Sequence, residues 1–166
     1  MPDFTIRPFA WGDIPAITSI YRHYVENSVA TFDTAPPSET AMASQKFGPM
    51  VELGHPVLIA ESGERLLGYA YASVYRPRPA YRFTCEDTIY CAADAQGQGV
   101  GTALLSAVID AARAFGFKQM IGVITAESIG SIRLHEKLGF RIVGNYTQVG
   151  FKFDRWLDIV HMQRAL

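Results

Sequence analysis

The run Gln96-Gly97-Gln98-Gly99-Val100-Gly101 stands between a strand-like segment and a strongly amphipathic one. Glycines at such a turn let the backbone approach a ligand closely. The amides that open a helix have no carbonyl partner of their own, so they can point at an anion. A diphosphate is the guest this arrangement suits. Without a ligand, the same residues are a tight strand-to-helix connection. Two more specific readings fail. A dinucleotide fingerprint, G-x-G-x-x-G, begun at Gly97 meets Thr102 at its last position. No Gly-Lys-Ser/Thr follows, which excludes the ATPase type of phosphate loop. The spacing that is satisfied is Q-x-x-G-x-G, from Gln96 through Gly99 to Gly101.

Other chemistry-bearing residues surround this turn in the chain. Glu86 lies in the mostly apolar segment Phe83 to Cys91, where a carboxylate is costly unless it has a task or a partner. It is either a working base or a strand glutamate that is solvated or paired with an arginine. Asp87 follows it and faces the other way if the strand is regular, so it is the weaker alternative as base, open only if a bulge changes the facing. Arg76 and Arg78 flank Pro77, and guanidinium forks there could hold oxyanions or simply be solvated. His135 shares a helical stripe with Ser131 and Leu138, as a general acid, a hydrogen-bond donor or a satisfied core histidine. Cys85 and Cys91 read as two small buried hydrophobes rather than a disulfide framework. His23, His55 and His161 have no ligand spacing with one another or with cysteine, so no catalytic metal is expected.

The elements that must position these groups follow from periodicity and breakers. Phe4 to Arg7 reads as a short strand. Asp13 is placed to cap a helix carrying Ile14, Ile17, Ile20, Tyr21, Tyr24 and Val25. Thr31 to Pro37 is a loop. Ser38-Glu39 opens a second helix that runs to about Leu53 before Gly54. Pro56 to Glu61 and Leu66 to Tyr75 are strands joined by a hairpin at Ser62-Gly63-Glu64. After Phe83 to Cys91 and the glycine turn comes a helix with Leu104, Leu105, Val108, Ile109 and Ala112 on one stripe. Met120 to Thr125 is an apolar central strand. Ser128 to Leu138 is a helix that Ser128 caps and Gly139 ends. Phe140 to Val149 and Phe153 to Met162 are the closing strands. The order βααβββαβαββ is that of a mixed α/β domain.

Composition bounds the function. The 166 residues are 49% hydrophobic, 19% charged and 12% aromatic, a globular balance that argues against extended disorder. Fifteen Lys and Arg against sixteen Asp and Glu leave a net charge of −1, so no basic field exists to hold a nucleic acid. No uncharged stretch approaches the ~20 residues that span a bilayer, so no membrane partner is expected. The N-terminal segment lacks a basic region followed by an apolar run, and a cytoplasmic location is expected.

Together, the Gln96–Gly101 pattern and Ser131-Ile-Arg-Leu-His-Glu-Lys-Leu-Gly-Phe140 resemble the two cofactor-binding motifs of the GNAT N-acetyltransferase superfamily, in the right order and on the right elements. Ile20-Tyr21-Arg-His-Tyr24, Thr31-Phe32, Glu86-Asp-Thr-Ile-Tyr90 and Gly150-Phe-Lys-Phe-Asp-Arg-Trp-Leu-Asp158 further resemble its phosphinothricin and methionine sulfoximine acetyltransferase branch. The resemblance implies a GNAT acyl-CoA N-acyltransferase fold over residues 1–166 as a single domain. Its sheet would be mixed and mostly antiparallel, flanked by about four helices. It implies acetyl-CoA as co-substrate, a small amino-acid-like amine as acceptor, and a homodimer.

It also implies roles. Acetyl transfer needs an amine without its extra proton, a polarised thioester carbonyl, and a tolerated thiolate. Glu86 stands where the family places its catalytic glutamate. His135 stands where many members carry a tyrosine thought to protonate the thiolate, so it is expected as general acid or cofactor contact. The backbone of Ile89, Tyr90 and Cys91 is expected beside the pantetheine arm. Gln96, Gly97, Gln98, Gly99, Val100, Gly101 and Thr102 are expected around the diphosphate, with Ser131 nearby. The family's usual asparagine is replaced by Ser128, which is too short to keep that cofactor contact. Arg76 and Arg78 are expected to bind the acceptor's anionic groups, and Phe32 to wall the pocket or pack in the core. Two rival functions are acetylation of proteins or peptides, and CoA binding without catalysis.

Overall fold

The computed structural model describes residues 3–166; the first two residues of the N-terminal segment lie outside the described residues. The elements are β1 (Thr5–Pro8), α1 (Ile14–Asn27), a helical stretch α2 (39–52), β2 (Val57–Ser62), β3 (Arg65–Val74), β4 (Thr84–Cys91), α3 (Val100–Phe115), β5 (Gln119–Thr125), α4 (Ile129–Lys137), β6 (Arg141–Lys152) and β7 (Arg155–Ala165). Their order is the one periodicity predicts, with boundaries displaced by a few residues.

The strands form one seven-stranded sheet in the order β1-β2-β3-β4-β5-β7-β6. Every neighbouring pair is antiparallel except β4 with β5. That parallel pair is short. It joins Thr84 to Gln119, Cys85 to Met120 and Glu86 to Ile121, and then the strands part. On its other edge β4 stays paired with β3 along its whole length, from Cys85 against Val74 to Cys91 against Gly68, with no register shift. From Asp87 onward, the edge of β4 that faces β5 therefore has no strand partner.

Each face of the sheet is covered by helices. On one, Leu104, Leu105, Val108 and Ala112 of α3 are fully buried against Ala60, Ala70, Ala72, Cys85 and Met120. Burying a leucine or valine side chain stabilises by about 1.5–3 kcal/mol, an alanine methyl by less. On the other face, Ile17, Tyr21 and Val25 of α1 and Met42, Phe47 and Met50 of α2 cover Ile59, Tyr69 and Tyr71. Cys85, Asp87, Ile89 and Cys91 of β4 belong to the α3 face, and Glu86, Thr88 and Tyr90 to the α1 face, by strand alternation.

Three local expectations change. The second helix is not uniform: it runs Glu39–Ala41 as α-helix, Met42–Phe47 as π-helix and Gly48–Glu52 as α-helix. Ser38 does cap it, accepting the Ala41 amide at 3.1 Å. Asp13 sits at the start of α1 but does not cap it. Its carboxylate turns back to the Ala10 amide at 2.7 Å and to a two-pronged ion pair with Arg7 at 2.8 and 2.9 Å. Ser128 likewise occupies the cap position of α4 without a side-chain bond to the helix amides.

Candidate active site

The glycine turn is held in shape from both sides. Gly97 (φ 75°) and Gly99 (φ 83°) adopt the left-handed conformation that glycine takes without penalty. A Cβ built on either would meet no atom within 4 Å, so both backbones face open space. The first turn-closing bond of α3 runs from the Ala103 amide to the Gly99 carbonyl at 3.0 Å. The amides of Val100, Gly101 and Thr102 precede it and have no helical acceptor. The side chains of the turn point elsewhere. Gln98 donates to the Asp94 carbonyl at 2.7 Å, and Gln96 donates to the Tyr24 hydroxyl at 3.0 Å. Tyr24 in turn donates to the Cys91 carbonyl at 2.6 Å, tying the turn to the end of β4. A backbone cradle of amides at the positive end of a helix dipole, with no side chain filling it, fits a diphosphate. Gly101 stands where β4 and α4 meet this cradle, its Cα facing Leu134, Cys91 and Ile89. The stretch Ile89, Tyr90 and Cys91 thus leads from the parted strands to the glycine turn.

Glu86 is the last β4 residue paired with β5, so its side chain stands at the fork. It is half-buried and, among the described residues, takes part in no ion pair. Burial lifts its carboxyl above the ordinary glutamate value, the Asp87 charge adds to the rise, and Arg76 opposes it. A carboxylate of this kind can accept a proton from an amine. Cys85 and Cys91 are poor nucleophiles, because burial pushes their thiols up to about 12 and about 11.

His135 departs from expectation. Its side chain is 2% exposed. Nδ1 bonds the Ser131 carbonyl at 2.7 Å, and Nε2 bonds Asp87 Oδ2 at 3.0 Å. The Phe140 ring packs edge-on against it with centroids 4.9 Å apart. Both nitrogens are engaged within the protein, so neither faces an open space from which to protonate a leaving group directly. Asp87, the weaker alternative to Glu86 as base, is instead the partner of His135, a pairing the sequence reading missed. It lies on the opposite face from Glu86, and its regular-strand alternation was the signal that could have paired it with an inward histidine.

The remaining residues sit around a loop. Arg76 and Arg78 are exposed after β3. Arg76 lies over the Tyr75 ring, its guanidinium carbon 5.0 Å from the centroid, and its charge acts on both Glu86 and His161. Arg78 has no side-chain partner within hydrogen-bond distance among the described residues. Phe32 is 38% exposed rather than in the core, and its ring packs against Gly150 of β6, where any Cβ would collide with it. The loop that carries Phe32 is fastened from below. Lys152, 4% exposed, donates to the carbonyls of Ser28 at 2.7 Å and Thr31 at 2.8 Å, and the Thr125 hydroxyl donates to the Val29 carbonyl at 2.6 Å. On the inner side, the Tyr21 hydroxyl meets Thr31 at 2.8 Å and donates to Asp33 at 2.5 Å. Sequence reading missed Lys152 and Thr125, because each reaches a loop about a hundred residues away and neither carries a local signal.

Known proteins place this geometry. Residues 17–140 match the model of the acetyltransferase (GNAT) family. The chain is 45% identical over 163 residues to a phosphinothricin N-acetyltransferase of Alcaligenes faecalis, covering 98% of this chain and 82% of that protein. It is 38% identical over 163 residues to an L-methionine sulfoximine/L-methionine sulfone acetyltransferase of Pseudomonas aeruginosa, covering 98% and 94%. Its fold superposes on the crystal structure of a GNAT superfamily phosphinothricin acetyltransferase from Sinorhizobium meliloti in complex with acetyl-CoA. The TM-score is 0.95 and the identity 45%, over 99% of this chain and 89% of that one. The amide cradle on α3 and the forked sheet accordingly belong to an acetyl-CoA-dependent N-acetyltransferase, and the chain is a member of the GNAT acetyltransferase family.

Proposed function

We propose that the chain acetylates the α-amine of a small amino-acid-like acceptor of the phosphinothricin, methionine sulfoximine or methionine sulfone type. The amine attacks directly while both substrates are bound. The observation that carries this reading is Glu86: a half-buried carboxyl without an ion-pair partner among the described residues, raised by burial, at the fork of β4 and β5. Acetyl-CoA supplies the activated acetyl group. The amides of Val100, Gly101 and Thr102, with Gly97, Gln98 and Gly99, hold its diphosphate, and Gln96 shapes the turn through Tyr24. The backbone of Ile89, Tyr90 and Cys91 flanks the pantetheine, with Ser131 on the far wall. Glu86 takes the amine's proton, directly or through a water. Arg76, beside it, and Arg78 receive the acceptor's carboxylate and its second polar group. Phe32 forms the pocket's apolar wall. His135 acts from the interior, through Asp87 and Ser131. The buried thiols of Cys85 and Cys91 support direct attack over an acetyl-enzyme. The exposed aromatic edge of β6 and β7 supports a homodimer.

Release of free CoA across a panel of amines tests the reading. Turnover with methionine sulfone or phosphinothricin is expected; turnover with peptides alone, or none at all, would overturn it. Glu86→Gln is expected to lower kcat by 10²- to 10⁴-fold, the usual worth of a general base, with acetyl-CoA affinity nearly unchanged. Because the carboxylate is the active form, wild-type kcat/KM falls as pH drops through the raised Glu86 pKa. The variant loses that acid limb.

A further inference from the structure

The surroundings of His135 present one acceptor too many for a neutral ring. Nδ1 faces a backbone carbonyl, the Ser131 oxygen at 2.7 Å, which only accepts. Nε2 faces a carboxylate oxygen of Asp87 at 3.0 Å, which when ionised only accepts. A neutral imidazole has a single N–H and can satisfy one of the two. Either the ring is doubly protonated, or the carboxyl carries the extra proton. Imidazole is ordinarily more basic than a carboxylate by more than two units, so the shared proton goes to the ring. Asp87 Oδ1 is buried with no hydrogen-bond partner, and no other cation lies within 4 Å of that carboxylate among the described residues. The imidazolium is its counter-charge.

The position of this pair matters as much as its charge. Asp87 is the first β4 residue beyond the pairing with β5, and its neighbour across the fork is Gly122. A Cβ on Gly122 would lie 3.1 Å from His135 Cδ2 and 3.2 Å from Asp87 Oδ1, so glycine is what lets the pair close there. His135 and Ser131 belong to α4, and Asp87 adjoins Glu86 on β4. The pair joins the cofactor-side helix to the strand that bears the base.

We propose that Asp87 is a positioning residue that holds His135 as an imidazolium, so that a compensated ion pair, rather than a lone carboxylate, stands behind Glu86 where β4 and β5 part. The proposal rests on the reading of Glu86 as the base for its kinetic consequence only. Asp87, Arg76 and the Tyr71 hydroxyl are the polar or charged groups whose fields involve Glu86; around His135 they are Asp87 and the Ser131 carbonyl, while Gly122 and Phe140 contribute none. Burial alone would lower the histidine's pKa, and its bond and charge interaction with Asp87, together with its bond to the Ser131 carbonyl, more than offset that. Take away the imidazolium and the Asp87 charge acts on Glu86 undiminished, raising it further. Take away Asp87 and Glu86 loses its like-charged neighbour.

Ring-nitrogen NMR of the uniformly ¹⁵N-labelled full chain tests the charge state without any acetyl acceptor. The His135 signal is assigned by its absence in His135→Gln. Two protonated ring nitrogens at pH 7 in the wild type are expected; a single N–H there overturns the proposal. In Asp87→Asn, one N–H on Nδ1 is expected at the same pH. The acid limb of kcat/KM then reads the coupling: it should move up by about one pH unit in His135→Gln, which leaves the Asp87 charge uncompensated, and down by less in Asp87→Asn, where charge and counter-charge go together. A purely structural role would move both limbs alike or neither, and that result overturns the positioning role. If either variant does not fold, the His135 ring is assigned by elimination in His23→Gln, His55→Gln and His161→Gln, and the wild-type spectrum still decides the charge state on which the proposal stands. An imidazolium spectrum in an enzyme that acetylates no amine would sink the proposed function and leave the pair intact.

Discussion

Lys152 shows how a single side chain can act at a distance from the chemistry. It is a buried ammonium whose hydrogen-bond partners are two carbonyls, and burial lowers its pKa. Such an arrangement is costly unless the geometry it enforces has a use. Its use is legible in its partners: Ser28 and Thr31 bracket the loop that presents Phe32. Lys152→Met keeps the stem and removes the donors, leaving two carbonyls without their partner at about 1–3 kcal/mol each. The expected outcome is a lower midpoint in urea and a KM for the acceptor raised several-fold, with the KM for acetyl-CoA unchanged. Equal effects on both constants would show that the loop does not shape the acceptor side. Glu86, by contrast, could be singled out in the sequence as a carboxylate among apolar neighbours, whereas nothing in the order of residues shows that Lys152 and Thr125 reach back to one loop.

At the level of elements, the anion cradle and the forked strands differ in how they are encoded. The cradle is local. Gly97 and Gly99 mark a left-handed turn that side chains resist, and the apolar stripe of α3 fixes which way the helix leaves it. Gly99→Ala adds a methyl group in open space, so the cost is conformational, about 1–2 kcal/mol, rather than a clash. The methyl would stand where the diphosphate is expected. A rise of about tenfold in the KM for acetyl-CoA, equivalent to 1.4 kcal/mol, is expected with the KM for the acceptor little changed. An unaltered acetyl-CoA KM would remove Gly99 from the cofactor's path. The fork is not local: it exists because β5 pairs with β7 along all its length but with β4 for only three residues. Periodicity locates β4 and β5 as strands and is silent about where their pairing stops. The same limit explains the two misread caps. Asp13 and Ser128 have the right residue types at the right positions, but Arg7 and the Ala10 amide, distant in kind from any helix signal, claim the Asp13 carboxylate.

For the molecule as a whole, the sheet ends in a strand that exposes several large apolar side chains. β6 is the outermost strand, and Tyr146, Val149 and Phe151 on it are each more than half exposed, as is Trp156 of β7. Phe151 and Trp156 pack against each other with centroids 5.0 Å apart, forming one apolar patch rather than scattered residues. Long exposed apolar edges invite pairing, and natural proteins cover them. The patch adjoins Gly150, on which Phe32 lies, so whatever covers it borders the acceptor loop. A second copy of the chain is the expected cover, placed so that each subunit braces the other's Phe32. Light scattering coupled to size exclusion should then give a dimer mass. Trp156→Glu should give a monomer that binds acetyl-CoA as before and has a raised KM for the acceptor, because the cradle on α3 lies at the other end of β4. A monomeric wild type would reject the dimer outright, and a monomeric variant with unchanged acceptor kinetics would separate assembly from the pocket.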